Sequence, residues 1–351
     1  MINKITHVNF AKGFRGGERQ TQLLIEQLSI QGYAQTLLTR VNSELAERCK
    51  NIKNLIIKTI KKPYIFHLRQ VENTSIIHAH ETKALQFSYA ASLFYKIPFI
   101  VTRRVDNPLK TNFLNTKMYQ AAFRSVALSN AIEKEILRVS PAANTKIIPS
   151  AFSDAKVNIK EASHIKSRFK EKFLVGNVGA LVDSHKGQSF LIEAAKELEQ
   201  THPDIHFILL GRGEDEAKFK VQAKGLTNIT FEGFVDNVND YISCFDLFVF
   251  PSRHEGLGSI LFDVMQLNVP IIATKVGGIP DIIHDGVNGI LIPPLSKSSI
   301  SDKIKYLHQH PEVSESLVIN ARNGVTTFSP ENMAKRYIKL YSHYMQCVKK
   351  E

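Results

Sequence analysis

Short apolar runs alternate along almost the whole chain with longer stretches in which apolar residues recur at helical spacing. A run bounded by turn residues reads as a buried strand, and the amphipathic stretch after it as a crossover helix. The alternation is therefore that of βαβ units and a parallel sheet. In the first half the expected strands are Ile5–Ala11, Thr36–Thr39, Ile76–Ala79, Phe99–Thr102, Val126–Ser129 and Lys146–Pro149, with helices over Glu18–Ser29, Lys83–Phe94 and Ala131–Arg138. Between Ser153 and Lys172 the chain turns polar and basic, and Phe173-Leu174-Val175-Gly176-Asn177-Val178-Gly179 then opens a new strand. The rhythm resumes with strands at Ile205–Leu210, Ile229–Glu232, Leu247–Phe250, Ile271–Thr274 and Ile290–Ile292. Helices are expected over Ser189–Thr201, Glu214–Gly225, Gly258–Leu267 and Lys297–His308. Two doubly wound α/β units joined near residue 155 follow, without solenoid repeats or low-complexity segments.

Open sheets of this kind bind ligands outside the carboxyl ends of their strands. Site residues are thus expected in strand-to-helix turns, and two facing sheets would offer one wall for each of two substrates. The length of 351 residues fits two such units. Apolar residues at 43% and charged residues at 22% are ordinary soluble values. No window approaches the ~18 apolar residues that span a bilayer. The N-terminus reads as a first strand rather than a secretion signal, so a cytoplasmic protein is expected. Cys49, Cys244 and Cys347 are far apart and in no C-x-x-C pair, which argues for reduced thiols rather than disulfides or a thiolate zinc site.

Charge changes the picture once it is located. Residues 1–160 hold 24 Lys+Arg against 10 Asp+Glu, whereas the remaining 191 residues hold 21 against 23. The excess of the first half suits a polyanionic partner: an anionic membrane, a phosphorylated acceptor or nucleic acid.

The densest chemical signal is Pro251-Ser252-Arg253-His254-Glu255-Gly256-Leu257-Gly258, after the strand ending at Phe250. A carboxylate, two glycines and a helix start form a turn in which backbone can approach a ligand and unpaired N–H groups can face an anion. Glu255 stands at its mouth and Asp263 about two helical turns further on. A second strand then ends in Lys275-Val276-Gly277-Gly278-Ile279-Pro280-Asp281. The ordered block, Pro-Ser-x-x-Glu-Gly-x-Gly, a second acidic residue after seven positions, then Gly-Gly-x-Pro-Asp, resembles the signature of glycosyltransferase family 4. Upstream, Gly176-Asn177-Val178-Gly179-Ala180-Leu181-Val182-Asp183-Ser184-His185-Lys186-Gly187 places a Lys where a diphosphate would be met.

The resemblance implies the GT-B fold, α/β, with two Rossmann-like doubly wound parallel-sheet domains facing an interdomain cleft. An acceptor domain of residues 1–155, completed by a C-terminal helix within 330–351, and a nucleotide-sugar domain of residues 156–329 are expected. The resemblance assigns Glu255 to the donor sugar, the amides of Leu257 and Gly258 to sugar and diphosphate, and Asp263, where Glu is usual, to the ribose. It assigns Lys186 to the diphosphate, commonly with an Arg six residues earlier; that position is Ala180, leaving Arg212 and Arg253 as substitutes. His80, in His78-Ala79-His80, maps onto a histidine near the donor sugar. The loop Lys12-Gly13-Phe14-Arg15-Gly16-Gly17-Glu18 is similar to a glycine-rich loop near diphosphate and acceptor, which places Arg15, Gly16 and Gly17 in the site. Retention of anomeric configuration is implied as well.

Two basic clusters remain. Arg103 and Arg104 end a strand and are suited to a carboxylate or phosphate on the acceptor. Lys58, Lys61, Lys62 and Arg69 are interleaved with Tyr64, Ile65 and Phe66, a composition suited to an anionic membrane surface. The last helix places Met333, Tyr337, Leu340, Tyr341 and Tyr344 on one packing face. No Asp-x-Asp occurs, so no metal and no cofactor are expected, and His78-x-His80 has no third ligand at a recognised spacing. The expected activity is retaining transfer from a nucleoside-diphosphate sugar to a lipid-linked or phosphorylated bacterial surface glycan, lipopolysaccharide core foremost, on the cytoplasmic face of the inner membrane. A GT-B nucleotide-sugar epimerase, a glycogen-type synthase and an NAD enzyme are the enzymatic rivals, the last lacking the G-x-G-x-x-G fingerprint. A nucleic-acid-binding protein would explain the basic half but not the turns of the second half.

Overall fold

The structure, a computed structural model, describes residues 4–153, 155–294 and 297–348, with residues 297–299 and 344–348 described by backbone alone. Tyr344 and Cys347, named above, therefore lie outside the described side chains. The chain divides into two compact units, residues 1–151 with 328–351 and residues 152–327.

The first unit holds seven parallel strands: β1 (Ile5–Asn9), β2 (Gln35–Arg40), β3 (Leu55–Ile60), β4 (Ile76–Ala79), β5 (Phe99–Arg103), β6 (Arg124–Ala127) and β7 (Thr145–Ile147). Their order is β3-β2-β1-β4-β5-β6-β7. The central strands are buried on both faces, which is why they read as near-continuous apolar runs. Between them the helices start at side-chain caps: Glu81 accepts from the amides of Lys83 and Ala84, and Ser129 from that of Ile132. The strand β3 departs from the sequence reading, which begins a basic segment at Lys58. As an edge strand paired only to β2, β3 leaves Ile56 and Thr59 open to solvent, so its run of Leu55-Ile56-Ile57 carries no clean alternation.

The second unit holds β8 (Phe173–Val178), β9 (Ile205–Leu210), β10 (Ile229–Gly233), β11 (Leu247–Phe250), β12 (Ile271–Thr274) and β13 (Ile290–Ile292), in the order β10-β9-β8-β11-β12-β13. The segment read as a polar link contains a helix, Ile159–Ser167, capped by Asn158. It is fixed to this unit: the Asn158 amide donates to Asp240, and Lys166 pairs with Asp246 at 2.9 Å.

The C-terminal helix Pro330–Val348 belongs to the first unit. Met333, Ala334, Tyr337, Leu340 and Tyr341 enter one apolar cluster with Ile5, Leu24, Leu28, Ile76 and Ile100. Tyr337 and Tyr341 are almost wholly buried, each worth roughly 1.5–3 kcal/mol in apolar burial. With this helix counted, the first unit carries 27 Lys+Arg against 11 Asp+Glu and the second 18 against 22. Among the described residues no helix is long and apolar enough to cross a membrane.

Candidate functional site

Each sheet reverses its strand order once, and each reversal collects a different set of side chains. In the second unit it falls between β8 and β11. After β8 the chain makes a short helix, Asp183–Lys186, which ends on Gly187 at φ +66°. Lys186 therefore closes a helix of its own rather than opening the next one, which begins at Ser189. A Cβ on Gly187 would stand 2.2 Å from the Pro251 carbonyl oxygen, so glycine lets the two turns lie against each other. That contact brings Lys186 Nζ to 2.6 Å from Glu255 Oε2. The two side chains are 26% and 16% exposed, shielded yet reachable. Lys186 also stands 5.3 Å from the centre of the Phe250 ring. The Gly278 amide donates to the Glu255 carbonyl at 3.0 Å, which ties the Gly277-Gly278 turn to the same place.

Leu257 and Gly258 follow in this turn and are buried. The next helix, Ile260–Gln266, spans seven residues. On it Asp263 accepts from the Ser153 hydroxyl at 3.2 Å. The two arginines named for the missing cation differ. Arg253 donates from Nε to the Asp183 carbonyl and from Nη2 to the Asp183 carboxylate at 3.0 Å, and it lies over the Phe190 ring. Burial alone would push the Asp183 carboxyl up; its bonds to Ser189 and Arg253 outweigh this and hold it below the usual range. Arg212 instead lies exposed at the end of β9, with no ion pair among the described residues.

In the first unit the reversal falls between β1 and β4, where His7 and His78 are direct neighbours across the strands. His7, His78 and His80 offer nitrogens that all lie within 4.8 Å of one another. His7 is the third ligand that sequence spacing did not supply. The hydrogen-bond pattern fixes two of the tautomers. Arg104 can only donate, so His80 Nδ1, 3.3 Å from Arg104 Nη2, accepts. His80 Nε2 then carries the hydrogen and donates to His7 Nδ1 at 3.0 Å, and His7 Nε2 donates to Gln35 Oε1 at 3.1 Å. His78 is held at 2.7 Å by both Tyr341 OH and Thr102 Oγ1. Burial lowers the pKa of His7 to about 4, against the raising effect of its bond to Gln35. Burial, their fellow histidines and Arg104 push His78 and His80 well down too. All three are neutral at pH 7. Neutral imidazoles suit a metal, but every ring nitrogen here already has a partner, and an ion among them would lie beside a guanidinium.

His80, which the resemblance sets against the donor sugar, is 3% exposed, with both nitrogens engaged inside the unit. The two arginines that follow it in this half part company. Arg103 is buried and turns back to donate to the Asn107 carbonyl, so it shapes the loop after β5 instead of facing outward. Arg104 packs beneath the glycine-rich loop, where a Cβ on Gly17 would stand 3.3 Å from Arg104 Cδ. Its Nε is buried without a partner, and burial lowers its pKa from the usual value. Gly16 and Gly17 open the helix Gly16–Ile30, with the Arg15 amide bonded to Glu18 and the Arg15 side chain exposed. Lys61 and Lys62 are exposed at the start of the 3-10 helix Tyr64–Val71, beside Ile65 and Phe66 at 46% and 80% exposure.

Sequence reading passed over His7, Gln35 and the reach of Tyr337 and Tyr341 to the strand ends. One signal was present: Thr6, His7 and Asn9 put three polar residues into a strand whose neighbours bury both its faces. Buried polar side chains need partners, and such a cluster in a central strand marks a network.

A family model described as "Glycosyl transferases group 1" matches residues 172–310. Alpha-D-kanosaminyltransferase of Streptomyces kanamyceticus is 31% identical over 177 residues, 48% of this chain and 45% of that protein. The chain thus spans about half the length of several of the curated relatives it matches. The lipopolysaccharide core biosynthesis glycosyltransferase LpsE of Rhizobium meliloti is 24% identical over 302 residues, 82% of this chain and 84% of that one. The crystal structure of Anabaena Alr3699/HepE in complex with UDP-glucose superimposes with a TM-score of 0.84 at 19% identity, covering 97% of this chain and 99% of that one. The whole-chain likeness and the two order reversals show the GT-B fold, and residues 172–310 are similar to the glycosyl transferases group 1 family.

Proposed function

We propose that the protein is a retaining glycosyltransferase that moves a sugar from a nucleoside-diphosphate sugar to a hydroxyl of a lipid-linked or phosphorylated bacterial surface glycan, a lipopolysaccharide core being the leading acceptor. The observation that carries this reading is the Lys186–Glu255 pair at the order reversal of the second sheet, where doubly wound sheets take nucleotides. Without donor the two charges neutralise each other. A diphosphate competes for the ammonium and sugar hydroxyls for the carboxylate, so one ion pair becomes two oriented contacts. Lys186, with Arg212 as second cation, stabilises charge growing on the leaving nucleoside diphosphate. The Leu257 and Gly258 amides face sugar and diphosphate, and Asp263 takes the ribose hydroxyls. The acceptor oxygen bonds to the anomeric carbon on the face from which the phosphate oxygen departs, and the acceptor proton passes to that oxygen. His80 contributes by orienting Arg104, whose buried guanidinium under the Gly16-Gly17 loop suits an anionic acceptor.

Donor class is supported by the UDP-glucose complex of the Anabaena protein, and acceptor class by the lipopolysaccharide core biosynthesis of the Rhizobium relative. The charge of the first unit and the exposed Lys61, Lys62, Ile65 and Phe66 support docking on the anionic cytoplasmic face of the inner membrane. The test is release of nucleoside diphosphate from a panel of nucleotide sugars, UDP-glucose included, with a lipid-oligosaccharide extract as acceptor. Acceptor-dependent release from one donor is expected. Failure of every nucleotide sugar to bind or react rejects the reading.

A further inference from the structure

At the β6–β7 edge of the first sheet lies an open pocket of about 710 Å³. Arg124 opens β6 and Ile147 ends β7, whereas His80 and Arg104 follow β4 and β5 nearer the middle of the sheet. Around the pocket stand Arg124, Lys146 on the edge strand β7, and Arg336 and Lys339 on the C-terminal helix, with His343 beside them. Ile147, Ile148 and Leu340 form its apolar floor. Among the described residues no carboxylate lines it, and none of the four permanent cations is ion-paired. Arg124 is anchored instead by a bond to Asn144 and by the Phe123 ring, 5.5 Å from its guanidinium. Four like charges gathered around one concavity repel one another, and lining residues of opposite sign are the ordinary remedy; here an anionic ligand can supply it.

We infer that this pocket is a second binding site, separate from the nucleotide-sugar chemistry, for a phosphate-bearing ligand. Two guanidinium forks match phosphate oxygens bidentately, two ammonium groups add point charge, and the apolar floor accepts the carbon part of a phosphate ester. The ligand would bridge β6 and β7 to the C-terminal helix, so its binding fastens the last segment of the chain to the edge of the sheet. The same chemistry is offered by a soluble phosphate compound and by an anionic lipid headgroup, and the two are separable.

The test uses the full chain with Lys61→Gln and Lys62→Gln as background, which removes two exposed cations of the other basic segment from the comparison. Inorganic pyrophosphate is titrated by calorimetry, and sedimentation is measured with phosphatidylcholine vesicles with and without phosphatidic acid. Arg336→Gln with Lys339→Gln, both on the exposed side of the helix, should weaken at least one of these by about tenfold or more, since two charge-assisted contacts are lost. A loss in calorimetry identifies a soluble ligand, and a loss confined to acidic vesicles a headgroup. Lys146→Gln, on the strand side, should weaken the same arm. Unchanged nucleotide-sugar binding by all variants shows that they fold and that the donor site is untouched. Equal binding by background and variants in both arms, or no binding by the background protein in either, overturns the inference.

Discussion

Arg104 donates to His80 Nδ1 and thereby sets the hydrogen on the far side of that ring, which in turn sets His7. A buried guanidinium next to three buried imidazoles makes protonation of any of them costly, and this has a measurable consequence. Between pH 6.5 and about 4 the unfolded chain binds a proton at His7 that the folded chain refuses. Stability is therefore fully present above 6.5 and is lost as pH falls through that window, by about 3 kcal/mol from His7. His78 and His80 act in the same direction. Urea midpoints at pH 7, 5.5 and 4.5 should fall more steeply in the parent than in His7→Gln; parallel profiles would show that His7 titrates normally.

Lys186→Ala removes the cation closest to Glu255. Turnover should drop by ~10²–10³-fold, the size of one lost transition-state donor. Turnover within about threefold of the parent would move diphosphate binding elsewhere.

Arg212 and Arg253 should separate cleanly. Arg212→Ala leaves no partner unpaired, so it should weaken donor binding and turnover without changing the melting temperature. Arg253→Ala removes a charge-assisted bond from the Asp183 carboxylate and one of two donors from its carbonyl, and should lower the melting temperature first. Equal effects of the two on donor affinity, measured by calorimetry with UDP-glucose, would reject this division.

Activity should survive excess EDTA, because the chain has no Asp-x-Asp and sets Lys186 where the diphosphate is expected. A loss restored by zinc would instead direct attention to His7, His78 and His80.

Vesicles containing anionic lipid should sediment the protein and neutral ones should not. Replacing Lys58, Lys61, Lys62 and Arg69 with Gln should reduce this, at about 1 kcal/mol per surface cation, while leaving solution hydrolysis of the nucleotide sugar unchanged. Equal sedimentation of parent and quadruple variant would reject this segment as the anchor.

Much of the architecture was legible because parallel strands buried on both faces leave unbroken apolar runs; β4, β9, β11, β12 and β13 match their expected spans residue for residue. What escaped was half-exposed or long-range. The edge strand β3 mixes Lys and Thr into its run, and the helix Ile159–Ser167 is polar on all but the face holding Ile165. In the second unit, spacing put Glu255 and Lys186 into turns but could not put them 2.6 Å apart; that depends on Gly187 yielding to Pro251. In the first, nothing local joins His7 to His80 across 73 positions. Only the pairing of β1 with β4 does so.

The return of the C-terminal helix also sets an order of events during synthesis. The second unit, residues 152–327, is complete in sequence before the first unit has its last helix. Until Tyr337 and Tyr341 leave the ribosome, His78 lacks the hydroxyl at its Nδ1, and the face of β1, β4 and β5 that the helix covers stands open to water. A nascent chain stopped near residue 327 should therefore carry a finished second unit and an unfinished first one. Chaperones would find their exposed apolar surface on the half that was translated first.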